Sequence, residues 1–250
     1  MGKYNCTQLN PDQAFERHIY HRDQFSHYLR WTHVLKRLKR DLNILDWGCG
    51  SANLLEVIYR NRFKANKYLG LEYRQRQVNK NIEKYKNLDW IDFKHCDLTK
   101  NDFNYGNDWD IICSFEVIEH IGKENVNIFL KNLYSHCNKD TIILLSTPCY
   151  DKTVGAAENH IIDGVICELS YEEMETSLKN NNFNILNNWG TFASIKDYEN
   201  QLNDWQQKFY NYAKEYFDVN ILSNLMAPMF PKFSRNVLWE CKIENNKKLF

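Results

Sequence analysis

Apolar positions along the chain fall into two rhythms. Between Phe15 and Lys39, the residues Phe15, Ile19, Phe25, Leu29, Val34, Leu35 and Leu38 recur near helical spacing, which predicts one or two amphipathic helices ahead of the first strand. From Asn43 onward, short apolar runs alternate with helical patterns. Strands are expected at Asn43 to Trp47, Lys67 to Glu72, Trp90 to His95, Trp109 to Phe115, Thr141 to Ser146, Asn184 to Trp189 and Asn236 to Ile243. Helices are expected at Asn53 to Arg60, Arg76 to Lys86, Glu124 to Cys137 and Tyr171 to Asn180. Runs such as DIICSF and TIILLS are apolar almost throughout, as befits parallel strands covered by helices on both faces. The alternation predicts an α/β fold with a doubly wound, mostly parallel sheet.

The segment from Ile195 to Arg235 breaks this rhythm. It holds an aromatic, helix-like stretch with Trp205, Phe209, Tyr210, Tyr212, Tyr216 and Phe217, and ends in the turn-prone MAPMFPKFSR. It reads as an insertion before the last strand, serving as a substrate lid, a contact in a homodimer, or further cover for the core. No internal repeat is present.

With 43% hydrophobic and 14% aromatic residues in 250 positions, the chain can bury one substantial core. Lys+Arg and Asp+Glu are both 32, so no global field draws the protein to nucleic acid or membrane. No apolar run approaches the roughly 20 residues of a membrane span, and the opening MGKYNCTQLN lacks the basic and apolar regions of a signal peptide. A soluble, cytoplasmic protein without membrane contact is expected. The eight cysteines are scattered, with no pair at zinc-knuckle or redox spacing. Basic residues cluster locally instead, at Arg17, Arg22, Arg30, Lys36, Arg37, Lys39 and Arg40, forming either a solvated helix face or a contact for an anionic substrate.

The most informative run is ILDWGCGSAN at 44–53. A buried strand ends in a glycine-rich turn and feeds directly into a helix, which is where an open α/β sheet binds its ligand. Gly48 and Gly50 let the backbone turn tightly and approach that ligand. The third glycine of a dinucleotide fingerprint is missing, since by that spacing its position is Asn53, and no Lys-Ser/Thr follows to make a phosphate loop. A nucleoside without a pyrophosphate fits this pattern. Glu72, at the end of the second strand, can accept both ribose hydroxyl hydrogens. Asp97, after the third strand in KHCDLT, can cap a turn around an adenine edge, although an acid there also forms turns for local reasons.

These residues resemble the motifs of class I S-adenosylmethionine-dependent methyltransferases: ILDWGCGSAN as the first motif, Glu72 as the ribose-binding acid, HCD as the adenine-side motif, and SFEVIEH after the fourth strand. The resemblance implies a seven-stranded sheet with its final strand antiparallel, a Rossmann-like methyltransferase fold and S-adenosylmethionine as cofactor. It places the methionine end near Asp46, Gly48 and Ser51, within a cofactor set that also includes Cys49, Gly50, Glu72, Tyr73, Asp97, Leu98, Phe115 and Glu116. Tyr28 or Trp31 could close over the methionine end. The expected organisation is one domain: a helical cap at 1–41, a cofactor-binding core at 42–194, the insertion at 195–235, and the last strand and tail at 236–250.

Methyl transfer needs alignment first, and a base where the nucleophile is a hydroxyl. Helical spacing would put Glu116, Glu119 and His120 on one face, and His160, after the fifth strand, could reach the same space. Catalytic roles are expected for Glu119, His120 and His160, and the set of four would suit Mg²⁺ or Mn²⁺. The pattern is similar to the Glu-x-x-Glu-His plus distant histidine of small-RNA 2′-O-methyltransferases and of ubiquinone-pathway O-methyltransferases. The same motif also occurs in metal-free enzymes, with the histidine as base. Cys149 after Pro148 has the look of the thiolate of cytosine-C5 methyltransferases but is given no such role. The histidines at 18, 21, 27 and 33 share no helical face and are not expected to form a second metal site.

The expected acceptor is an oxygen of a small-molecule, sugar or nucleotide-type substrate. RNA ribose 2′-O-methylation, with the basic N-terminal helix holding phosphates, is a second reading, as is hypermodification of nucleotides or viral DNA. A cofactor-binding pseudoenzyme acting as an interaction module is the alternative from another class.

Overall fold

A computed structural model describes residues 22–39, 41–150 and 160–244. Phe15, Ile19, Arg17, Arg40, Cys6 and the histidines at 18 and 21 lie outside the described residues. The chain runs α1 (Arg22–Leu35), β1 (Asn43–Trp47), α2 (Asn53–Arg60), β2 (Lys67–Glu72), α3 (Gln75–Tyr85), β3 (Ile91–His95), β4 (Ile111–Phe115) and α4 (Val126–Ser135). It continues with β5 (Ile142–Pro148), a hairpin of β6 (Ile161–Ile162) and β7 (Val165–Ile166), α5 (Tyr171–Asn180) and β8 (Phe183–Phe192). Three helices follow, α6 (Ile195–Tyr198), α7 (Asp204–Ala213) and α8 (Val219–Met226), before β9 (Asn236–Ile243).

The main sheet has seven strands in the order β3-β2-β1-β4-β5-β9-β8. Pairings from β3 to β5 are parallel, and β9 runs antiparallel to both of its neighbours. This is the Rossmann-like methyltransferase arrangement, with the last strand reversed as expected. The reversal matters for function. Because β9 is antiparallel, its first residue, Asn236, pairs with Pro148 at the end of β5 and so lies at the edge where β1, β2 and β4 also end.

Side-chain alternation along the buried strands feeds two cores. Leu45 and Trp47 join one with Phe129 and Leu133 of α4 and Met174 and Leu178 of α5. Ile44 faces the other, with Val34 of α1, Leu55 and Ile58 of α2, and Val78 of α3. Helix α5 starts where the sequence supplies a capping box, Ser170 and Glu173 each bonding the other's backbone.

Three details go beyond or depart from the expectations. The helix expected from Glu124 begins instead with a short 3₁₀ turn, Lys123–Asn125, before α4. The β6–β7 hairpin was not anticipated. The insertion carries its own small core of Tyr198, Tyr210, Leu222, Met226 and Phe230, while Trp205 (68% exposed), Tyr212 (66%) and Tyr216 (68%) face outward. The segment still packs on β8 and α1 through α8 and the turns after it, so it covers one edge of the fold while those three rings stay outside. No helix among the described residues is long and apolar enough to cross a membrane.

Candidate active site

The turn after β1 is pinned by backbone. The N–H groups of Gly48 and Cys49 both donate to the Leu71 carbonyl, at 3.0 and 2.8 Å, joining the turn to the end of β2. Gly48 has φ +90°, and a Cβ there would lie 2.5 Å from Val117 Cγ2, so no other residue fits without displacing the loop after β4. Gly50 has φ +52°, and a Cβ there would meet nothing within 4 Å, leaving its surroundings open. Ala52, the N-cap of α2, also adopts a left-handed conformation, φ 58°. From α3, buried Asn81 donates to the Gly50 carbonyl at 2.8 Å and locks the turn from below.

Asp46 is buried beneath the turn and accepts a 2.6 Å hydrogen bond from the Tyr68 hydroxyl. Burial pushes its pKa up to about 7, with the Tyr68 bond opposing and the Glu72 charge reinforcing. Glu72 Oε2 accepts from Gly50 N at 3.0 Å, while Oε1 accepts from the Arg74 backbone N–H at 3.0 Å and Nε at 2.8 Å. Asp97 closes an Asx turn, accepting from Thr99 N and Oγ1 at 3.0 and 2.6 Å. Burial works against its ionised form, but the Thr99 bonds hold its pKa below the ordinary value. Tyr73 is exposed beside His95, ring centroids 6.2 Å apart; Leu98 is buried and Phe115 partly buried against the core.

The other members of the expected set differ in exposure. Cys49 is buried, its sulfur 3.9 Å from Asn81 Nδ2, and burial raises its thiol well above the usual range. Ser51 is exposed and bonds Asn53 at 3.2 Å. Trp31 packs against the α2 side of the core, with exposed Tyr28 edge-on to it at 5.5 Å. Cys149 is fixed by its N–H to the Arg235 carbonyl at 2.8 Å, and burial pushes its thiol up. A thiolate role there finds no support.

Beyond β4 the chain departs from the expected helical face. Glu116 sits at φ 58°, outside the 3₁₀ turn Ile118–His120, and its carboxylate turns inward. It pairs with Arg30 Nη1 at 2.9 Å and accepts from Ser146 Oγ and Asn236 Nδ2, each at 2.8 Å. Glu116 is therefore removed from the metal set: among the described residues, the groups that converge, with ligand atoms within 4.8 Å of one another, are Glu119, His120 and His160.

Glu119 is fully buried and accepts from Thr147 Oγ1 at 3.2 Å. Burial, reinforced by Glu116, raises its pKa well above the carboxylate range. The His120 and His160 rings are 4.9 Å apart. Burial, then the neighbouring His160, lowers the pKa of His120, and the Arg74 charge acts in the same direction. His160 Nδ1 bonds the buried Glu168 carboxylate at 2.5 Å.

Two arginines of the basic N-terminal helix also differ from expectation. Arg30 is buried, holding Glu116, Asn236 (3.2 Å) and His27 Nδ1 (2.7 Å). Arg37 grips Glu240 of β9 through Nε at 2.9 Å and Nη2 at 2.5 Å, and the His33 ring lies 4.0 Å from Trp189 of β8. These side chains bind the helix to the sheet. Arg30 and Arg37 are thus not part of a solvated face, whereas Lys36 and Lys39 are exposed. The described histidines 27 and 33 sit in separate environments.

A family profile described as a methyltransferase domain matches residues 20–203. The chain belongs to that methyltransferase family. Its cofactor is S-adenosylmethionine, and the protein is an enzyme. No curated protein matches the sequence. Among solved structures, this methyltransferase is similar in fold to the TehB-like S-adenosylmethionine-dependent methyltransferase of Corynebacterium glutamicum, with a TM-score of 0.56, 13% identity, and coverage of 94% of this chain and 100% of that one. It is similar to the methyltransferase domain of bacterial CtHen1-CN, with a TM-score of 0.56, 16% identity, and coverage of 89% and 100%. The cyclase SpnF also matches, with a TM-score of 0.58, 14% identity, and coverage of 85% and 79%. At such identities these likenesses carry the fold and no acceptor. The residues fit the cofactor in chemical character: a turn with open space at Gly50, a carboxylate at the end of β2, and a buried acid whose ionised form a nearby cation would favour.

Sequence reasoning missed Asn81, Tyr68, Arg30, Asn236 and Glu168. Two signals were available. Asn81 lies between Val78 and Tyr85 on the inward face of α3, a polar residue at an apolar position. Asp163-Gly164 between Ile-Ile and Val-Ile is a hairpin turn signal that would have brought Glu168 back toward His160.

Proposed function

We propose that the protein transfers the methyl group of S-adenosylmethionine to an oxygen of a cytoplasmic small-molecule, sugar or nucleotide-linked acceptor. The observation that carries this reading is the chain Glu168–His160–His120 beside buried Glu119, at the strand edge that also holds Glu72 and the glycine turn. Asp46, Gly48 and Ser51, with Cys49 and Gly50 in the turn, hold the methionine end. Glu72 takes the ribose hydroxyls; Tyr73, Asp97 and Leu98 flank the adenine; Phe115 and the Glu116 backbone border the sulfonium; Trp31 and Tyr28 stand at the rim.

When bound, the cofactor supplies an electrophilic methyl group whose displacement returns an electron pair to sulfur. The chain supplies position and a proton acceptor. With its Nδ1 proton donated to Glu168, His160 presents the Nε2 lone pair as base for the acceptor hydroxyl, and the more exposed His120 passes the proton to solvent. Buried Glu119, its pKa raised by burial, lies beside His120, whose Nε2 is 4.0 Å from its carboxyl. His160→Ala is expected to lower kcat by about 10²- to 10⁴-fold with binding of S-adenosylhomocysteine, measured by calorimetry, unchanged. Full activity in that variant would remove the base.

The convergence of one carboxylate and two imidazoles favours a second reading, metal-assisted methylation of an RNA ribose. Glu119, His120 and His160 would hold the ion, and with Glu116 excluded this donor set suits Mn²⁺ better than Mg²⁺. A bound divalent ion would lower the pKa of a coordinated hydroxyl. Undiminished activity in chelator, and no salt-sensitive binding of a short RNA, would eliminate it. The intact histidine cluster argues against an interaction module without activity.

A further inference from the structure

Helix α7 buries one side and presents another. Tyr210 and Ala213 point into the insertion's own core, while Trp205, Phe209, Tyr212 and Tyr216 recur at spacings of four, three and four and share a separate face. Neighbouring rings pair along it. Trp205 and Phe209 stack at 5.6 Å with planes 8° apart, and Tyr212 and Tyr216 lie 5.2 Å apart. The helix ends at Ala213, but the turn that follows keeps Tyr216 in line, its N–H donating to the Ala213 carbonyl at 3.0 Å.

Two properties say what covers this stripe. The first is area. The four rings are 68%, 43%, 66% and 68% exposed in chain order, which at about 200 Å² for a whole aromatic residue amounts to roughly 500 Å² of apolar surface in one patch. Doubled across an interface it reaches about 1,000 Å², where specific protein–protein contacts begin. The second is symmetry. Trp205 and Tyr216 are equally far along the chain from a midpoint between Tyr210 and Asn211, and so are Phe209 and Tyr212. A second helix laid antiparallel about that point sets Trp205 on the partner's Tyr216 and Phe209 on the partner's Tyr212, aromatic on aromatic throughout. The flank away from the insertion's core carries exposed Lys208 and Glu215, each one residue ahead of a stripe position. In an antiparallel pair that flank meets its own copy, so Lys208 faces the partner's Glu215 once on each side of the axis. Asp204 and Glu215 alternate with Lys208 and Lys214 along the helix and its end, which suits this pairing and gives no basic face for lipid headgroups or nucleic acid.

We propose that the aromatic stripe of α7 is the contact of a two-fold homodimer, in which the two copies of α7 pack antiparallel and the Lys208–Glu215 pairs set their register. The dimer is independent of the acceptor and of the proposed base.

Sedimentation velocity of the full chain tests this, with wild type, Trp205→Ala, Lys208→Glu, Glu215→Lys and the double charge exchange. Wild type should sediment as a dimer of the 30.0 kDa chain at roughly 100 μM. Trp205→Ala removes two anchors per dimer and should raise the dissociation constant about 30-fold or more. Either single charge change sets like charges opposite one another on both sides of the axis and should weaken the dimer about tenfold. The double exchange should restore it to within about threefold of wild type. All three residues are exposed, so circular dichroism should be the same in every variant. A wild type that stays monomeric at that concentration would leave the stripe to another partner and overturn the proposal. So would a dimer indifferent to Trp205→Ala, or one that the double exchange fails to restore.

Discussion

The carboxyl edge of the sheet is built in two ways. On the β1–β2 side, the site is made mostly by backbone: Gly48, Cys49 and Gly50 hand their N–H groups to Leu71 and Glu72. On the β4–β5–β9 side, it is made by side chains that reach across the chain. Arg30 meets Glu116 and Asn236, Thr147 meets Glu119, and His160 meets Glu168. A site made of backbone depends on the few positions where conformation excludes a side chain. A site made of buried polar side chains depends on every partner, because each one removed strands another in low dielectric.

The side-chain half should break hardest. Arg30→Met leaves Glu116 buried with no counter-charge, and is expected to cost about 3–5 kcal/mol of stability by urea denaturation. Adding Glu116→Gln should recover much of that loss. If the single variant is as stable as wild type, the Arg30–Glu116 pair does not hold α1 to the sheet.

On the backbone half, Gly48→Ala is expected to cost roughly 1–3 kcal/mol, since the methyl group meets Val117 at a φ that disfavours it. Ser51→Ala should leave stability within about 0.5 kcal/mol. Equal losses in the two would erase the distinction between conformation and side chain.

Asp46 sharpens the contrast, as a side chain inside the backbone half. Its folded pKa of about 7 lies above the ordinary 3.8, so the folded state holds this proton more tightly than the unfolded one. Its stabilising contribution is full below about pH 3.8 and is lost as pH rises through 7. Asp46→Asn cannot lose a proton. The stability of the ligand-free variant relative to wild type should therefore climb between pH 4 and 7, and a flat difference across urea melts in that window would contradict the assignment.

This division also explains what the sequence disclosed. Strands β1, β2 and β9 and helices α2 and α5 fall at the expected residues, because their apolar rhythm and turn residues are local signals. The glycine turn and Glu72 were legible for the same reason, being spaced along one βαβ unit. Glu116 was misplaced because a helical periodicity was assumed for a segment that Glu116 enters in a left-handed conformation. Arg30 was read as part of a basic surface because its partners, Glu116 and Asn236, are far away in sequence and nothing local announces them. Glu168 was within reach of sequence reasoning, through the Asp163-Gly164 turn that folds it back on His160.

The central claim is that the glycine turn and Glu72 together hold an adenosyl group, and calorimetric titration of S-adenosylhomocysteine into wild type and Glu72→Ala tests it most directly. Binding to wild type is expected, weakened in the variant by roughly 10- to 100-fold with its circular dichroism unchanged. No heat from wild type at millimolar ligand, or equal affinity in the two proteins, would contradict it.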